Sequence, residues 1–223
     1  GLIRPKVNSG KNKKKTNKLI PLGSACRLAW QINKFNKNND IQKTSYPIDW
    51  CVTSNKSLEI LFSDDFDITK VLSNIIKVHS TGNCKCEYTD IVFPHGVKFP
   101  IDDKQVNQAK QRFYHTYQHY KSLRYMNDIT FIRWYPPCRK VRPRSIINSL
   151  KNFLQHENFK FIHVETEVFD EEKNRPIDQF ELISSPHHYK LYELRPDPTT
   201  PVKYIFRGDS KSWDSFLSHL TKS

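Results

Sequence analysis

No stretch of this chain approaches the run of roughly 18 apolar residues that a membrane-spanning helix requires. Cysteine is scarce and odd in number, five in 223 residues, so the chain is not one of the small secreted domains held by a disulfide framework. Reduced thiols in an intracellular setting are the expectation. Acidic residues are also short: 23 Asp and Glu stand against 36 Lys and Arg, a formal charge of +13. Apolar residues make up only 37%, yet 13% of the chain is aromatic, and each Phe, Tyr or Trp buries a large area. The length suffices for one sizeable core or two small ones. No internal repeat and no secretory signal is visible, because the first 18 residues are polar and basic.

Much of the positive charge lies between Arg4 and Lys18, a segment too polar to fold alone. The expected organisation is a basic arm over residues 1–17, then a single α+β domain over 18–223 with proline-rich loops at 170–201. Lys13, Lys14 and Lys15 in the arm, and Arg142 and Arg144 in a second basic run after Pro136-Pro137, are candidates for contacting a polyanion such as nucleic acid. An arm of this kind serves equally as a solvated leader.

The most informative element is Leu19-Ile20-Pro21-Leu22-Gly23-Ser24-Ala25-Cys26. A short apolar strand meets a Gly-Ser turn, and Cys26 opens a helix with Leu28, Ala29, Ile32 and Phe35 on one side. Helix N-termini carry unpaired N–H groups and the positive end of the dipole, which favour a thiolate. The N–H groups around Ser24 and Ala25 are placed to hold an oxyanion. A buried structural cysteine is the competing reading.

Further elements are expected from apolar spacing. Helices are predicted over 58–62, 68–78, 104–123, 145–156 (Ser145 as N-cap) and 212–220. Strands are predicted over 89–93, 129–135, 159–169 and 204–207. His163 lies inside one of these strands, with Glu165 on the same face. His115 and His119 stand one helical turn apart, but no third metal ligand is evident, and stacking on a wet helix face is the expectation. Cys84-Lys85-Cys86 has no matching second pair, and Cys138 is a distant third contributor. No metal or other cofactor is expected.

Gly23-Ser24-Ala25-Cys26 followed by Ser45-Tyr46-Pro47-Ile48-Asp49-Trp50 resembles the paired signature of a little-characterised family of papain-like cysteine peptidases. Weaker matches follow in Asp64-Asp65-Phe66, His95-Gly96-Val97, Gln111-Arg112-Phe113 and Phe131-Ile132-Arg133, so that the resemblance spans residues 18–135. It implies a papain-like α+β fold, with the Cys-bearing helix packed on a small, mostly antiparallel sheet; the helix 104–123 is expected to cover that sheet because its aromatic stripe needs an apolar partner. It also implies Cys26 as nucleophile and His95 as base, both in one cleft, with a protein or other acyl donor as substrate. Asp49 is the candidate to orient the base, though it suits a turn equally well, and His163 is the alternative base. Gly96 stands where the family carries Asp, so Asp102 or Asp103 would have to substitute if Asp49 does not. A chain that had lost activity would suit an assembly role with protein or polyanion partners, within a cell or in the particle of a large DNA virus.

Overall fold

The computed structural model describes residues 18–23, 26–77, 82–135, 143–166, 180–184, 189–194 and 210–222. Helices and strands are mixed, with two separate sheets among the described residues. The larger sheet takes its strands from the whole length of the chain: β1 (Lys18–Pro21), β5 (Ile129–Tyr135), β6 (Phe159–Thr166), β7 (Phe180–Ser184) and β8 (Tyr189–Leu194). Their spatial order is β1-β5-β6-β8-β7. The smaller sheet is an antiparallel meander of β2 (Ile75–Lys77), β3 (Cys84–Cys86) and β4 (Val92–Phe93).

The expectation of a mostly antiparallel main sheet does not hold. β1 pairs with β5, β5 with β6, and β6 with β8, all in parallel; only β7 runs against its neighbour β8. Parallel neighbours need a crossover, and α4 (Pro143–Leu154) lies between β5 and β6 in sequence, as such a unit demands. Two of the four expected strands, over 129–135 and 159–169, correspond to β5 and β6, central partners in this sheet, with β6 described as Phe159–Thr166. The third shrinks to Val92–Phe93 and belongs to the small sheet. The fourth, 204–207, lies outside the described residues.

Alternation along the strands divides the core into two layers. Ile20, Leu22, Ile129, Phe131, Phe159 and Phe161 face one side, where α2 (Asn55–Leu61), α3 (Asp103–Ser122) and α4 place Leu58, Tyr117, Tyr120 and Leu150. Leu19, Ile132, Trp134, Ile162 and Val164 face the other, beneath α1 (Cys26–Asn38) and α5 (Ser210–Lys222). Helices on both faces are the arrangement that parallel strands require, since each strand is buried on two sides. The aromatic stripe of α3 does find its apolar partner: Tyr120 stacks on Tyr46 at 5.0 Å and meets Phe62 edge-on at 5.2 Å. Trp213 and Phe216 of α5 are wholly buried on the α1 side.

Other elements depart from expectation for local reasons. The segment 68–78 is a single 3₁₀ turn (Ile68–Lys70) followed by β2, because Leu72 takes a positive φ of 64° and ends any helix there. Ser145 is inside α4 rather than capping it, and its hydroxyl donates to Glu59 Oε1 at 2.5 Å. The proline-rich stretch 170–201 is not all loop, because β7 and β8 both lie in it. The basic arm, Lys13, Lys14, Lys15, Ser24, Ala25, Cys138 and Arg142 lie outside the described residues; Arg144 is exposed in the first turn of α4.

Candidate functional site

Cys26 is the first residue of α1, just beyond the carboxyl end of the parallel strand β1. Open sheets with helices on both faces bind ligands outside the carboxyl ends of their parallel strands. The turn that delivers Cys26 is tightly specified. Gly23 has a φ of +64°, and a Cβ there would stand 2.5 Å from Thr53 Oγ1. Only glycine meets both conditions without strain.

Arg133 holds the same turn from inside the sheet. It is wholly buried in β5. Its Nη1 donates to the carbonyl of Leu22 and, at 3.0 Å, to Thr53 Oγ1, while its Nη2 donates to the Thr53 carbonyl at 2.9 Å. A forked guanidinium thus ties the last residue before Gly23 to the segment that packs on the glycine. In the sequence Arg133 stands out only as part of the Phe131-Ile132-Arg133 match, and nothing marks Thr53. The signal available was an arginine in the middle of an otherwise apolar strand, which requires buried acceptors to be tolerated.

The Cys26 thiol is half-buried and donates to the Trp50 carbonyl at 3.6 Å. Burial pushes this thiol above its ordinary range, while its own backbone N–H acts the other way. Trp50 also reaches His95. Its indole, 42% exposed, meets the His95 ring edge-on with centroids 6.4 Å apart. The chain path explains the approach: Val52 and Val92 exchange two backbone hydrogen bonds of 2.9 Å, which carry the 93–95 segment back beside Trp50. Cys26 and His95 therefore both approach Trp50, the thiol at its carbonyl and the imidazole at its indole, with no hydrogen bond between them among the described residues. His95 is exposed.

Asp49 precedes Trp50 but serves a different neighbourhood. Its Oδ2 accepts from the Tyr46 N–H at 2.9 Å, and the Asp49 N–H donates to the Tyr46 carbonyl at 3.2 Å, closing the Pro47–Trp50 turn. Burial raises its carboxyl to about 7, against the pull of the Tyr46 N–H and Lys43. No hydrogen bond links Asp49 to His95 among the described residues. Asp102 is the N-cap of α3 and accepts from Gln105 N at 2.7 Å, and Asp103 is exposed in the first turn. Gly96 has a φ of +85°, and a Cβ there would lie 3.0 Å from the Arg112 guanidinium, so the backbone itself disfavours the family's Asp at this position.

His163 is wholly buried beside Arg133, its register partner in β5, and faces the α2–α3–α4 side, whereas α1 covers the opposite side. Burial and the Arg133 charge lower it to about 4. His119 Nδ1 donates to the Ser45 carbonyl at 2.6 Å, and its ring meets His115 edge-on. Cys84 and Cys86 are buried in β3 as part of the core. Among the described residues no three His, Cys, Asp or Glu side chains converge as metal ligands, and no helix is long and apolar enough to cross a membrane.

Comparison with protein-family models, with curated proteins and with solved structures finds no match for this chain.

Proposed function

We propose that the chain is a thiol hydrolase or acyltransferase of papain-like chemistry, with Cys26 as nucleophile and His95 as its base. The observation that carries this reading is the placement of Cys26: a half-exposed thiol at a helix N-terminus beyond the end of a parallel strand, on a turn held by Gly23, Thr53 and Arg133. Papain-like here describes the cysteine-on-helix geometry and the resemblance in sequence, not the main sheet, which is mostly parallel. In this reading Cys26 Sγ attacks an acyl carbonyl, and the thiol proton passes to the His95 imidazole. The imidazolium then returns the proton to the leaving amine or alcohol. Water or a second nucleophile cleaves the thioester, releasing acid or a new acyl product and restoring the thiol. Backbone N–H groups at the start of α1 supply the oxyanion's hydrogen bonds.

The first proton transfer requires His95, which rests edge-on against the Trp50 indole, to come within hydrogen-bond reach of the thiol, and exposure leaves it room to do so. Apo sites commonly hold catalytic partners at longer range than the reacting complex does. Labelling with a cysteine-directed acyl probe tests the assignment. Label is expected on wild type, absent from Cys26→Ala and strongly reduced in His95→Ala. Equal labelling of all three proteins would remove the enzyme reading.

A second reading is favoured by one observation. Burial holds the resting thiol above its ordinary range rather than below it. A relative that kept the fold and lost the reaction, acting through protein or polyanion partners, would show such an unactivated thiol. It would bind nucleic acid with an affinity that falls steeply with salt.

A further inference from the structure

Gly96 directly follows His95, and a cation lies against it. A Cβ on Gly96 would meet Arg112 Nη2 at 3.0 Å and Cζ at 3.8 Å. The guanidinium of Arg112 therefore rests on the backbone beside His95, in space that a side chain at position 96 would claim. Arg112 itself is exposed on α3. The His95 ring in turn meets the exposed Trp50 indole, and the Trp50 carbonyl accepts from the Cys26 thiol. Thiol, indole, imidazole and guanidinium are thus linked through three neighbouring stretches of chain.

The fold leaves this guanidinium unmatched. It makes no ion pair and no side-chain hydrogen bond among the described residues. One turn back along α3 stand Gln108 and Ala109, and one turn on stand His115 and Thr116, so no carboxylate faces it from its own helix. The 94–101 segment that carries Gly96 brings His95 and Lys98 but no acid. Asp102 and Asp103 lie at the start of α3, about 14–15 Å away along the helix axis, and Asp102 is engaged with Gln105. Asp90 is held by Lys85 and Ser54, and Asp49 is buried in its turn on the Tyr46 N–H. The charge beside His95 is therefore positive and open to solvent.

We propose that Arg112 sets the specificity of the Cys26 site by taking a carboxylate carried on the acyl part of the substrate, close to the reacting carbonyl. The inference rests on the reading of Cys26 as nucleophile and adds the class of acyl donor, an acidic one. A planar guanidinium offers two parallel N–H donors that match the two oxygens of a carboxylate. Arg112 has no contact with Cys26 among the described residues, so it addresses a substituent of the substrate and not the oxyanion. A neutral isostere gains nothing from the guanidinium, and a cationic substituent is repelled by it. The formal charge of +13 attracts any anion at long range, whereas the contact at Arg112 is local.

The test labels the full chain with dipeptidyl acyloxymethyl ketones, in which a cysteine sulfur bonds to the ketone's methylene carbon and the acyloxy group leaves as a carboxylate. The probes carry Glu, Gln, Leu or Lys at either of the two residues before the ketone, and mass mapping reads the label on Cys26. At one of these positions Glu should label tenfold or more faster than Gln, with Lys slowest. Arg112→Gln should bring the Glu-to-Gln ratio close to one, and Arg112→Lys should keep part of it, since a lysine retains the charge without the fork. Lys110→Gln removes the same charge from another side of α3 and should leave the ratio unchanged. Equal labelling by Glu and Gln probes in wild type would overturn the inference while leaving Cys26 as nucleophile. An unchanged ratio in Arg112→Gln, or an equal loss in Lys110→Gln, would do the same. Absence of Cys26 labelling by every probe would remove the enzyme reading, and this inference with it.

Discussion

The guanidinium of Arg133 reaches from the middle of β5 to the backbone carbonyl of Leu22, four residues before Cys26 opens α1. Two further bonds from the same group go to Thr53. A buried arginine thus fixes the geometry of the turn that presents Cys26. Replacing it removes the donors but not the acceptors. Each orphaned buried acceptor costs roughly 1–3 kcal/mol. Arg133→Met is therefore expected to lower the urea midpoint substantially, and Arg133→Lys to lower it less, because a lysine keeps the charge but cannot make the fork. An unchanged midpoint in Arg133→Met would show that the turn does not depend on this group.

Gly23 and Thr53 are packed so closely that their substitutions should not be additive. A Cβ at position 23 would stand 2.5 Å from Thr53 Oγ1, 3.0 Å from its Cγ2 and 3.3 Å from Ile48 Cδ1. Gly23→Ala is expected to cost roughly 1–3 kcal/mol from the positive φ and the clash together. Removing the Thr53 side chain relieves the clash but not the φ strain. In a double-mutant cycle with Thr53→Ala, the second Gly23→Ala step should therefore be milder than the first. Strict additivity would place the two residues apart in solution.

The pH dependence of stability contains two opposed contributions. The Asp49 carboxyl is raised to about 7 by burial, so between the ordinary carboxylate range and 7 the folded state binds a proton that the unfolded chain releases. Its contribution is fully present at acid pH and is lost as pH rises through 7. His163 is lowered to about 4, so below the ordinary histidine range the unfolded chain takes up the proton that the folded state refuses. Its contribution is present above 6.5 and is lost as pH falls toward 4. Asp49→Asn should gain stability relative to wild type as pH is raised from 4 to 7. A His163→Asn protein should lose less stability than wild type as pH is lowered from 6.5 to 4. Denaturant midpoints measured across that range separate the two, and parallel curves for wild type and Asp49→Asn would refute the carboxyl assignment.

The strand–helix–strand run from Ile129 to Phe159 and beyond was legible in apolar spacing, yet its orientation was not read from it. A helix between two adjacent strands of one sheet implies parallel pairing, whereas the resemblance suggested an antiparallel sheet. β7 and β8 were hidden because Phe180–Ser184 and Tyr189–Leu194 sit among prolines and charges that read as loop. The 3₁₀ turn at Ile68–Lys70 was hidden because its apolar spacing is also that of a helix, and the left-handed Leu72 leaves no residue signature. At the site, Cys26, Trp50 and His95 were each visible as residues. What joined them was a long-range bridge between Val52 and Val92, which no local pattern announces.

The ionisation of Cys26 gives a direct view of its resting state. Burial pushes the thiol up, its own backbone N–H pulls it down, and its hydrogen bond to the Trp50 carbonyl is one that only the protonated form can donate. The thiolate is the reactive species toward alkylating agents. Iodoacetamide modification of Cys26 should therefore be slow at neutral pH and accelerate through the alkaline range, above an ordinary thiol. Cys51 lies nearby but is wholly enclosed, and burial raises it further, so it should remain unmodified while the protein is folded. Mass mapping of the alkylated peptides distinguishes the two. Rapid modification of Cys26 at pH 6, abolished by His95→Ala, would instead show a thiolate–imidazolium pair formed in solution before any substrate arrives.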